Sequence, residues 1–269
     1  MANNYLNRVD TPLPNNFWKE IDNVIHGAME TELFGRKLIP VEKPYGLGHK
    51  AMFGPDRIIK SKSDAISVSA SSPLPLVNIT KNFSLPRRDI ASYVDMNSPL
   101  VLNPAIEAAE ECAEYEDQMV FYGLKEAGID GIFNHKGVQS IKLKDWKEIG
   151  TAMDDIITAI TKLDNAGFNG IYKLALAPNL YNLLYRRYPQ SSFTELDNLK
   201  GMVTGSIIKA HTIKEGGVLF TYDEDHAKIL LGQDIQAGFV GLTGNDFEFF
   251  LSESVTLYIN EPESFCILK

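Results

Sequence analysis

The stretch NPAIEAAEECAEYEDQMVFYGLKEAG, residues 103–128, is the strongest helix signal in this chain. Asn103 can cap the helix, Pro104 suits its first turn, and Gly128 follows its end, so we predict a helix over 103–127. Small residues on one side allow close approach of another element: Ala105, Ala108, Ala109 and Ala113. Acidic residues are expected to line a solvated side: Glu107, Glu110, Glu111, Glu114, Glu116 and Asp117.

Upstream of this helix, residues 44–75 are rich in proline, glycine and serine, with a basic and serine-rich middle over 57–72. Alternation over 65–69 predicts strand. A poorly apolar strand pair buries little of its own surface, and a structureless loop of this length is uncommon in a compact domain. We therefore favour an extended arm that becomes ordered against a neighbouring subunit over a loose surface loop.

The remaining chain alternates between helix and strand patterns, which predicts an α+β fold with the arm inserted. Predicted helices cover 15–34, 145–164 and 180–185, and predicted strands cover 76–85, 172–177, 206–210, 217–222, 228–232 and 246–259. Asp145 and Glu148 have the spacing of a capping box for the second of these helices. The sequence contains no internal repeat.

Composition limits the partners of the chain. It has 269 residues and a formal net charge of -9 at pH 7, and an acidic surface repels phosphate backbones, so no nucleic-acid partner is expected. No segment approaches the roughly 18 consecutive apolar residues that cross a bilayer, so no membrane partner is expected. The first residues have no apolar core of signal-peptide length, which favours the cytoplasm.

No pattern of catalytic or metal-binding residues is found. The five histidines are not paired at helical spacing, and the acidic helix lacks the Glu-x-x-His of di-iron sites. Glycine fingerprints and nucleophile elbows are absent from the sequence. Cys112 and Cys266 are interpreted as buried free thiols, with a disulfide left open. We predict no catalytic residue, no metal site and no enzyme activity.

Six blocks together resemble the family 1 encapsulins, proteins also known as linocin-like bacteriocins. The blocks are ELFGRKL (32–38), VEKPYG (41–46), AEYED (113–117), FYG (121–123), GIDG (128–131) and ILLGQDI (229–235). Their order and spacing fit over nearly the whole chain. Encapsulins are shell subunits of hollow icosahedral compartments that enclose cargo enzymes.

The resemblance implies the fold of tailed-bacteriophage major capsid proteins, with a peripheral domain, an axial domain and an extended arm. Residues 1–43 would hold the N-terminal helix and the start of the peripheral domain, and 44–75 the arm. Residues 76–135 would hold the peripheral domain with its spine helix, 136–224 the axial domain, and 225–269 the return to the peripheral domain with the C-terminal strand.

The resemblance also implies partners. Copies of the chain would form a shell, of 60 subunits for this length, around a cargo protein that carries a C-terminal targeting peptide. The residues matched to the docking groove are Leu33, Arg36, Leu38, Asp234 and Ile235. A simpler interpretation is that Arg36 and Asp234 pair to join two parts of one domain. The residues matched to a small five-fold pore are Tyr188, Pro189, Gln190, Ser191 and Ser192.

Some encapsulins bind a flavin beside a tryptophan, and Arg88 stands at the matching position, so no flavin is expected. Ferritin-like iron oxidisers and peroxidases are the usual guests, which implies iron storage or protection from oxidative stress in a bacterium or archaeon. The alternatives are a phage or prophage major capsid protein, with the same fold, and a secreted protease or bacteriocin.

Overall fold

The structure is a computed structural model that describes residues 4–63, 66–189 and 192–269. The helices are α1 (Asn15–Glu32), α2 (Phe34–Leu38), α3 (Arg87–Met96), α4 (Asn103–Tyr122), α5 (Thr151–Asn165), α6 (Pro178–Leu183) and α7 (Glu195–Leu199). The strands are β1 (Val41–Glu42), β2 (Ala51–Ser63), β3 (Ile66–Pro75), β4 (Val77–Pro86), β5 (Gln139–Ile141), β6 (Tyr172–Leu176), β7 (Ile207–Lys209), β8 (Gly217–Thr221), β9 (Ala227–Thr243), β10 (Asp246–Ile259) and β11 (Phe265–Leu268).

The first sheet has the strand order β1-β9-β10-β4, with β10 antiparallel to both of its neighbours. The strand predicted for 246–259 is confirmed, and its alternation holds as far as Leu251, because Phe247, Phe249 and Leu251 turn into the core. From Ser252 to Leu257 every residue is buried, so the alternation predicted for this part of the strand is wrong. Helices α1 and α4 pack against each other, and α4 covers β4 and β10. The largest core of the described residues lies between these helices and this sheet.

Helix α4 confirms the predicted long helix but ends at Tyr122, before Gly128. Gly123 leaves the helix with φ +78, a conformation that L-residues rarely adopt. The chain then folds back so closely that a Cβ on Gly131 would lie 2.2 Å from the backbone nitrogen of Gly123. The glycine pair, and not Gly128, therefore ends the helix.

Strands β2 and β3 form a two-stranded antiparallel sheet of their own, with a register from Ala51↔Pro75 to Ser63↔Ile66. Neither core cluster of the described residues includes a residue of 51–75. An isolated hairpin of this kind is marginally stable in water. Its ordering against a neighbouring subunit stays a prediction.

The second sheet has the order β5-β11-β8-β6-β7 and packs with α5 around a separate core. Its strand β11 lies between β5 and β8, although 225–269 was assigned to the return to the peripheral domain. All four residues of β11 are buried, as expected for a strand with apolar residues on both faces. The C-terminal strand therefore joins the sheet built from 136–224.

Two predicted boundaries are wrong. Helix α5 begins at Thr151, because Gly150 adopts φ +97 and Asp145 accepts a hydrogen bond from the backbone of Lys147 instead of forming a capping box. Strand β9 runs on to Thr243, far beyond the predicted end at 232, because its pairing with β10 continues through register shifts. Among the described residues, no helix is long and apolar enough to cross a membrane.

Candidate functional site

Arg36, on the short helix α2, joins four elements through its guanidinium group. Its Nε and one Nη bind both carboxylate oxygens of Glu116, at 2.7 and 2.6 Å. The same Nη lies 3.1 Å from Glu253 on β10, and the other lies 2.9 Å from Asp234 on β9. The two glutamate side chains are fully buried, so this is an internal ionic cluster and not a surface ion pair.

The prediction that Glu116 and Asp117 lie on the solvated side of α4 is wrong, since both are fully buried. Asp117 accepts hydrogen bonds from the backbone nitrogens of Phe34 and Gly35, at 3.0 and 2.8 Å. Helix α2 packs directly on α4, and a Cβ on Gly35 would lie 2.9 Å from Val120. Asp117 thus accepts hydrogen bonds from the first N–H groups of α2, and Glu116 pairs with Arg36 on the same helix.

Burial changes the protonation of this cluster. It raises the pKa of Glu253 well above its ordinary value, and the charge of nearby Glu116 raises it further. Burial also raises the pKa of Asp117 to about 7, against the hydrogen bonds from α2. Burial of Glu253 therefore favours its protonated form more strongly than water does, although Arg36 acts in the opposite direction.

The raised pKa of Glu253 makes the stability of the fold depend on pH. Because the native pKa of Glu253 is raised above its ordinary value of 4.5, the native state holds the proton more tightly than the unfolded chain. The contribution of Glu253 protonation to the free energy of unfolding is complete below pH 4.5. As the pH rises, this contribution falls by about 1.4 kcal/mol per pH unit until the native pKa is passed. Glu253→Gln removes this contribution. As the pH rises from 5 to 8, the melting temperature of variant particles is therefore expected to rise relative to that of wild-type particles.

The matched control is Glu248→Gln, which removes one charge from a partly exposed position of the same strand. Parallel Tm curves for wild type and Glu253→Gln over this range would contradict a raised pKa for Glu253.

A hollow of about 370 Å³ borders this cluster at Arg36 and Asp234. It is lined by His26, Met29, Glu30, Leu33, Arg36, Lys37, Asp234 and Ile235. Four of the five residues matched to a docking groove thus surround one hollow. Leu38 does not, because it lies two positions from Arg36 on α2, points to the other side and is fully buried in the core.

Sequence reasoning missed four residues of this groove, Lys37 on α2 and three on α1. His26, Met29 and Glu30 precede Leu33 on α1 at intervals of three and four residues, which place all four on one helical face. That spacing is a local signal that could have identified them. Asp234 and Ile235 lie some two hundred residues away on β9, and only the family resemblance brought them to this site.

The simpler interpretation of the Arg36–Asp234 pair agrees with the geometry. Arg36 makes four hydrogen bonds to carboxylates with its five N–H donors. It therefore joins α2, α4, β9 and β10, and has little capacity left for a peptide.

A second hollow, of about 560 Å³, lies along the acidic face of α4. It is lined by Glu32, Glu107, Glu110, Glu111, Glu114, His211 and Thr212. The four glutamates from α4 are exposed, as predicted. The lining offers no aliphatic floor, so we regard it as a solvated acidic surface.

The segment matched to a pore is described at Tyr188, Pro189 and Ser192, whereas Gln190 and Ser191 lie outside the described residues. Its base is held by Arg186, which donates to the backbone oxygen of Lys147 at 2.6 Å and to Glu195 at 2.9 Å. Glu195 is buried and also accepts a hydrogen bond from the nitrogen of Gly150 at 3.2 Å. These contacts fix the base of the segment to the loop before α5.

The other candidate residues are distributed as follows. Cys112 and Cys266 are buried free thiols in separate cores, which excludes the disulfide left open above. Burial raises their pKa values to about 12 and 11, so they stay protonated. Arg88 is exposed in the first turn of α3. Within the described ranges, no group of three His, Cys, Asp or Glu residues could hold a metal ion.

A spine helix on a sheet, a hairpin arm and a second sheet with its own core define the class of capsid-type shell subunits. A virus-like particle from Pyrococcus furiosus superposes with a TM-score of 0.74 at 21% identity, over 94% of this chain and 99% of that one. The capsid of Myoviridae phage XM1 superposes with a TM-score of 0.62 at 13% identity, over 87% of this chain and 90% of the other. The predicted capsid fold is confirmed.

The particular family follows from the sequence. Residues 3–256 match the family described as "Encapsulating protein for peroxidase", and the chain belongs to this family. It is 25% identical over 276 residues to the type 1 encapsulin shell protein EncA of Myxococcus xanthus, covering 98% of this chain and 96% of the relative. It is 28% identical over 262 residues to a diheme-cytochrome-encapsulin shell fusion protein of Kuenenia stuttgartiensis, covering 94% and 72%.

The chain is therefore an encapsulin shell subunit, which confirms the family predicted from its sequence blocks. Because its relatives are structural shell proteins, it is not an enzyme.

Proposed function

We propose that 60 copies of this chain form a closed icosahedral shell in the cytoplasm of a bacterium or archaeon. The shell encloses a cargo protein whose C-terminal targeting peptide binds the groove between α1 and β9. Pores near 188–192 admit ions and small substrates. The observation that carries this proposal is the groove, because an apolar floor and a polar rim converge there from two distant parts of the sequence.

The groove suits an extended or helical peptide with aliphatic side chains. Met29, Leu33 and Ile235 supply an apolar floor, and a hollow of about 370 Å³ has room for a few such side chains. Full burial of one aliphatic side chain stabilises a complex by roughly 1.5–3 kcal/mol. Burial of a few aliphatic side chains of the peptide would hold a tethered cargo protein against the shell.

The cargo class is proposed from what the relatives are named for. The family is described as encapsulating a peroxidase, and two relatives are shell fusions with a diheme cytochrome and, in Pyrococcus furiosus, with a ferritin-like protein. We favour a ferritin-like or peroxidase cargo, hence iron storage or protection from oxidative stress. With Arg88 in place of a stacking aromatic residue, we propose that the shell binds no flavin.

The alternative of a phage or prophage capsid protein shares its fold with the capsid of phage XM1, but the match of the chain to the encapsulating-protein family opposes it. The net charge of -9 opposes it, because packaged DNA is itself strongly negative. Mass spectrometry of purified particles separates the two, by showing an enclosed protein or enclosed DNA.

Ile235→Lys is expected to reduce the cargo in purified shells to background. Ile235 is 1% exposed and belongs to the main core, so the charged side chain disturbs the apolar floor of the groove and the packing beneath it. Cargo per shell is measured by densitometry of particles purified by sedimentation, after mass spectrometry has identified the cargo. The matched control is Gln118→Lys, which adds the same charge at an exposed position of α4.

Normal loading of Ile235→Lys shells would overturn the docking site. If that variant forms no shells, the isosteric Met29→Gln decides, with an expected loss of roughly threefold to tenfold in cargo.

A further inference from the structure

Helix α2 lies between the two sheets and contacts both parts of the subunit. On one side it is fixed to α4 and to the first sheet, through Arg36 and through the hydrogen bonds that Asp117 accepts. On the other side it contacts β6 and β7 of the second sheet. The position of the second sheet relative to the first therefore depends on the contacts of α2 on each side.

The apolar contact at this junction has few side chains that can interlock. Between Tyr172 and Ala210, the described residues that belong to the main core are Ala175, Ala177, Ala210 and Ile208. Three of these four are alanines, which give the sheet a smooth face toward α2. Orientation in a protein core is fixed by side chains that interdigitate, so polar contacts at the margin become important for the angle between the two sheets.

Lys173 on β6 holds one end of α2. It lies on the same face of the strand as Ala175, and its Nζ donates to the backbone oxygen of Lys37 at 2.9 Å, in the last turn of α2. The same Nζ lies 3.6 Å from the ring centre of Tyr222. A Cβ on Gly205 would lie 2.7 Å from Cγ of Lys173, so the loop before β7 packs against the stem of this side chain. These contacts fix the course of the Lys173 side chain between the second sheet and α2.

The loop after β7 holds the other end of α2. Oγ1 of Thr212 donates to Oδ2 of Asp117 at 3.2 Å, and Asp117 also accepts hydrogen bonds from the first N–H groups of α2. The hydroxyl group of Tyr122, at the end of α4, donates to the backbone oxygen of Thr212 at 3.4 Å and accepts from the nitrogen of Lys214 at 3.2 Å. The second sheet is thus attached near both ends of α2.

We propose that the contacts of Lys173 and Thr212 fix the angle between the two sheets and thereby determine the size of the shell. In a closed assembly of identical copies, the angle within each subunit sets the curvature between neighbours, and hence the number of copies that close the shell.

Both parts of the subunit are available for contacts with neighbours, as this proposal requires. Each exposes large apolar side chains that the subunit alone does not bury: Ile149, Ile157 and Tyr185 beside the second sheet, and Val240 and Leu242 on β9. The inference rests on the assembly of the chain into shells and does not depend on the docking groove.

A double variant, Lys173→Met with Thr212→Val, tests the proposal. Lys173→Met removes the ammonium group and keeps most of the side-chain length, and Thr212→Val removes the hydroxyl group and keeps the branched shape. Wild-type particles are expected in a single size class, whereas the variant is expected to place roughly a tenth of its particles or more in other size classes. Negative-stain microscopy measures the diameters, and mass photometry of the same preparation measures the number of copies.

The matched control is Lys162→Met with Thr221→Val. Nζ of Lys162 also donates to a backbone oxygen, that of Ser140, at 2.9 Å, and Oγ1 of Thr221 donates to the backbone oxygen of Phe168 at 3.3 Å. Both hydrogen bonds lie within the part of the chain that surrounds the second sheet, away from α2. This control is expected to form shells of one size.

The conservative variant Lys173→Arg with Thr212→Ser keeps a hydrogen-bond donor at both positions and is expected to form shells of the wild-type size. If the test variant forms no particles, Thr212→Val alone decides by the same measurement, because Lys173 then still holds α2.

A single size class from the test variant, equal to that of the wild type, would overturn the inference and leave the shell function standing. The same spread of sizes in the control or in the conservative variant would assign the effect to general packing and would also overturn it. Absence of particles from the wild type would contradict the proposed shell itself.

Discussion

Shortening the arm is expected to abolish shell formation and to leave a folded subunit. In the variant, an Asn-Gly turn replaces residues 54–72 and joins Phe53 of β2 to its cross-strand partner Pro73 of β3. Among the described residues, β2 and β3 pair with no third strand, and residues 54–63 extend about 30 Å at 3.3 Å per residue. Phe53 and Val68 are 77% and 51% exposed, so the subunit alone does not bury them.

Sedimentation velocity and negative-stain microscopy measure the result. Wild type is expected as large particles, and the variant as subunits of about 28 kDa, slightly below the 30.0 kDa of the whole chain, or as small oligomers. Circular dichroism and a cooperative thermal transition show whether the subunit is folded, as expected when both cores lie outside the arm. Normal particles from the shortened chain would refute this role for the arm.

If the shortened chain does not fold, Phe53→Ser with Val68→Ser decides. This double variant keeps the length of the β2–β3 hairpin and removes only these two exposed apolar side chains. It is expected to lower the yield of shells by at least tenfold.

The elements predicted well are those whose signals are local. Asn103 and Pro104 mark the start of α4, and the alternation of Phe247, Phe249 and Leu251 marks β10. The boundaries that failed depend on tertiary contacts. Helix α4 ends at Gly123 because Gly131 must pack against it, and the length of β9 depends on its pairing with β10. Neither partner can be recognised from the sequence near the boundary.

The site divides in the same way. The groove face of α1 follows from helical spacing alone, whereas the burial of Glu116 does not. An acid on a helix with many acids is normally solvated, and its partner Arg36 lies 80 residues away in sequence. The resemblance to encapsulins supplied Arg36 and Asp234 as a pair but assigned them to the peptide. Only the positions of Glu116 and Glu253 show that Arg36 is a structural residue.

Arg36→Met is expected to lower the free energy of unfolding by about 3–5 kcal/mol, the typical cost of leaving a buried charge without its partner. The change keeps most of the side-chain volume but removes the one cation that contacts Glu116, Glu253 and Asp234. Chemical unfolding, monitored by tryptophan fluorescence, measures the loss, and shell yield is expected to fall with it. The matched control is Lys81→Met, which breaks a half-exposed ion pair with Glu111 and should cost less than about 1 kcal/mol.

A double variant tests whether the effect arises from the uncompensated charge and not from lost packing. In Arg36→Met with Glu116→Gln, an uncharged amide replaces the fully buried carboxylate of Glu116. Because this amide needs no cation beside it, part of the lost stability should return. If Arg36→Met is no more costly than Lys81→Met, the ionic cluster is not the joint between α2 and the spine helix. A cargo-loading defect in an Arg36 variant is therefore uninformative about docking, because it follows equally from disturbed packing of the subunit.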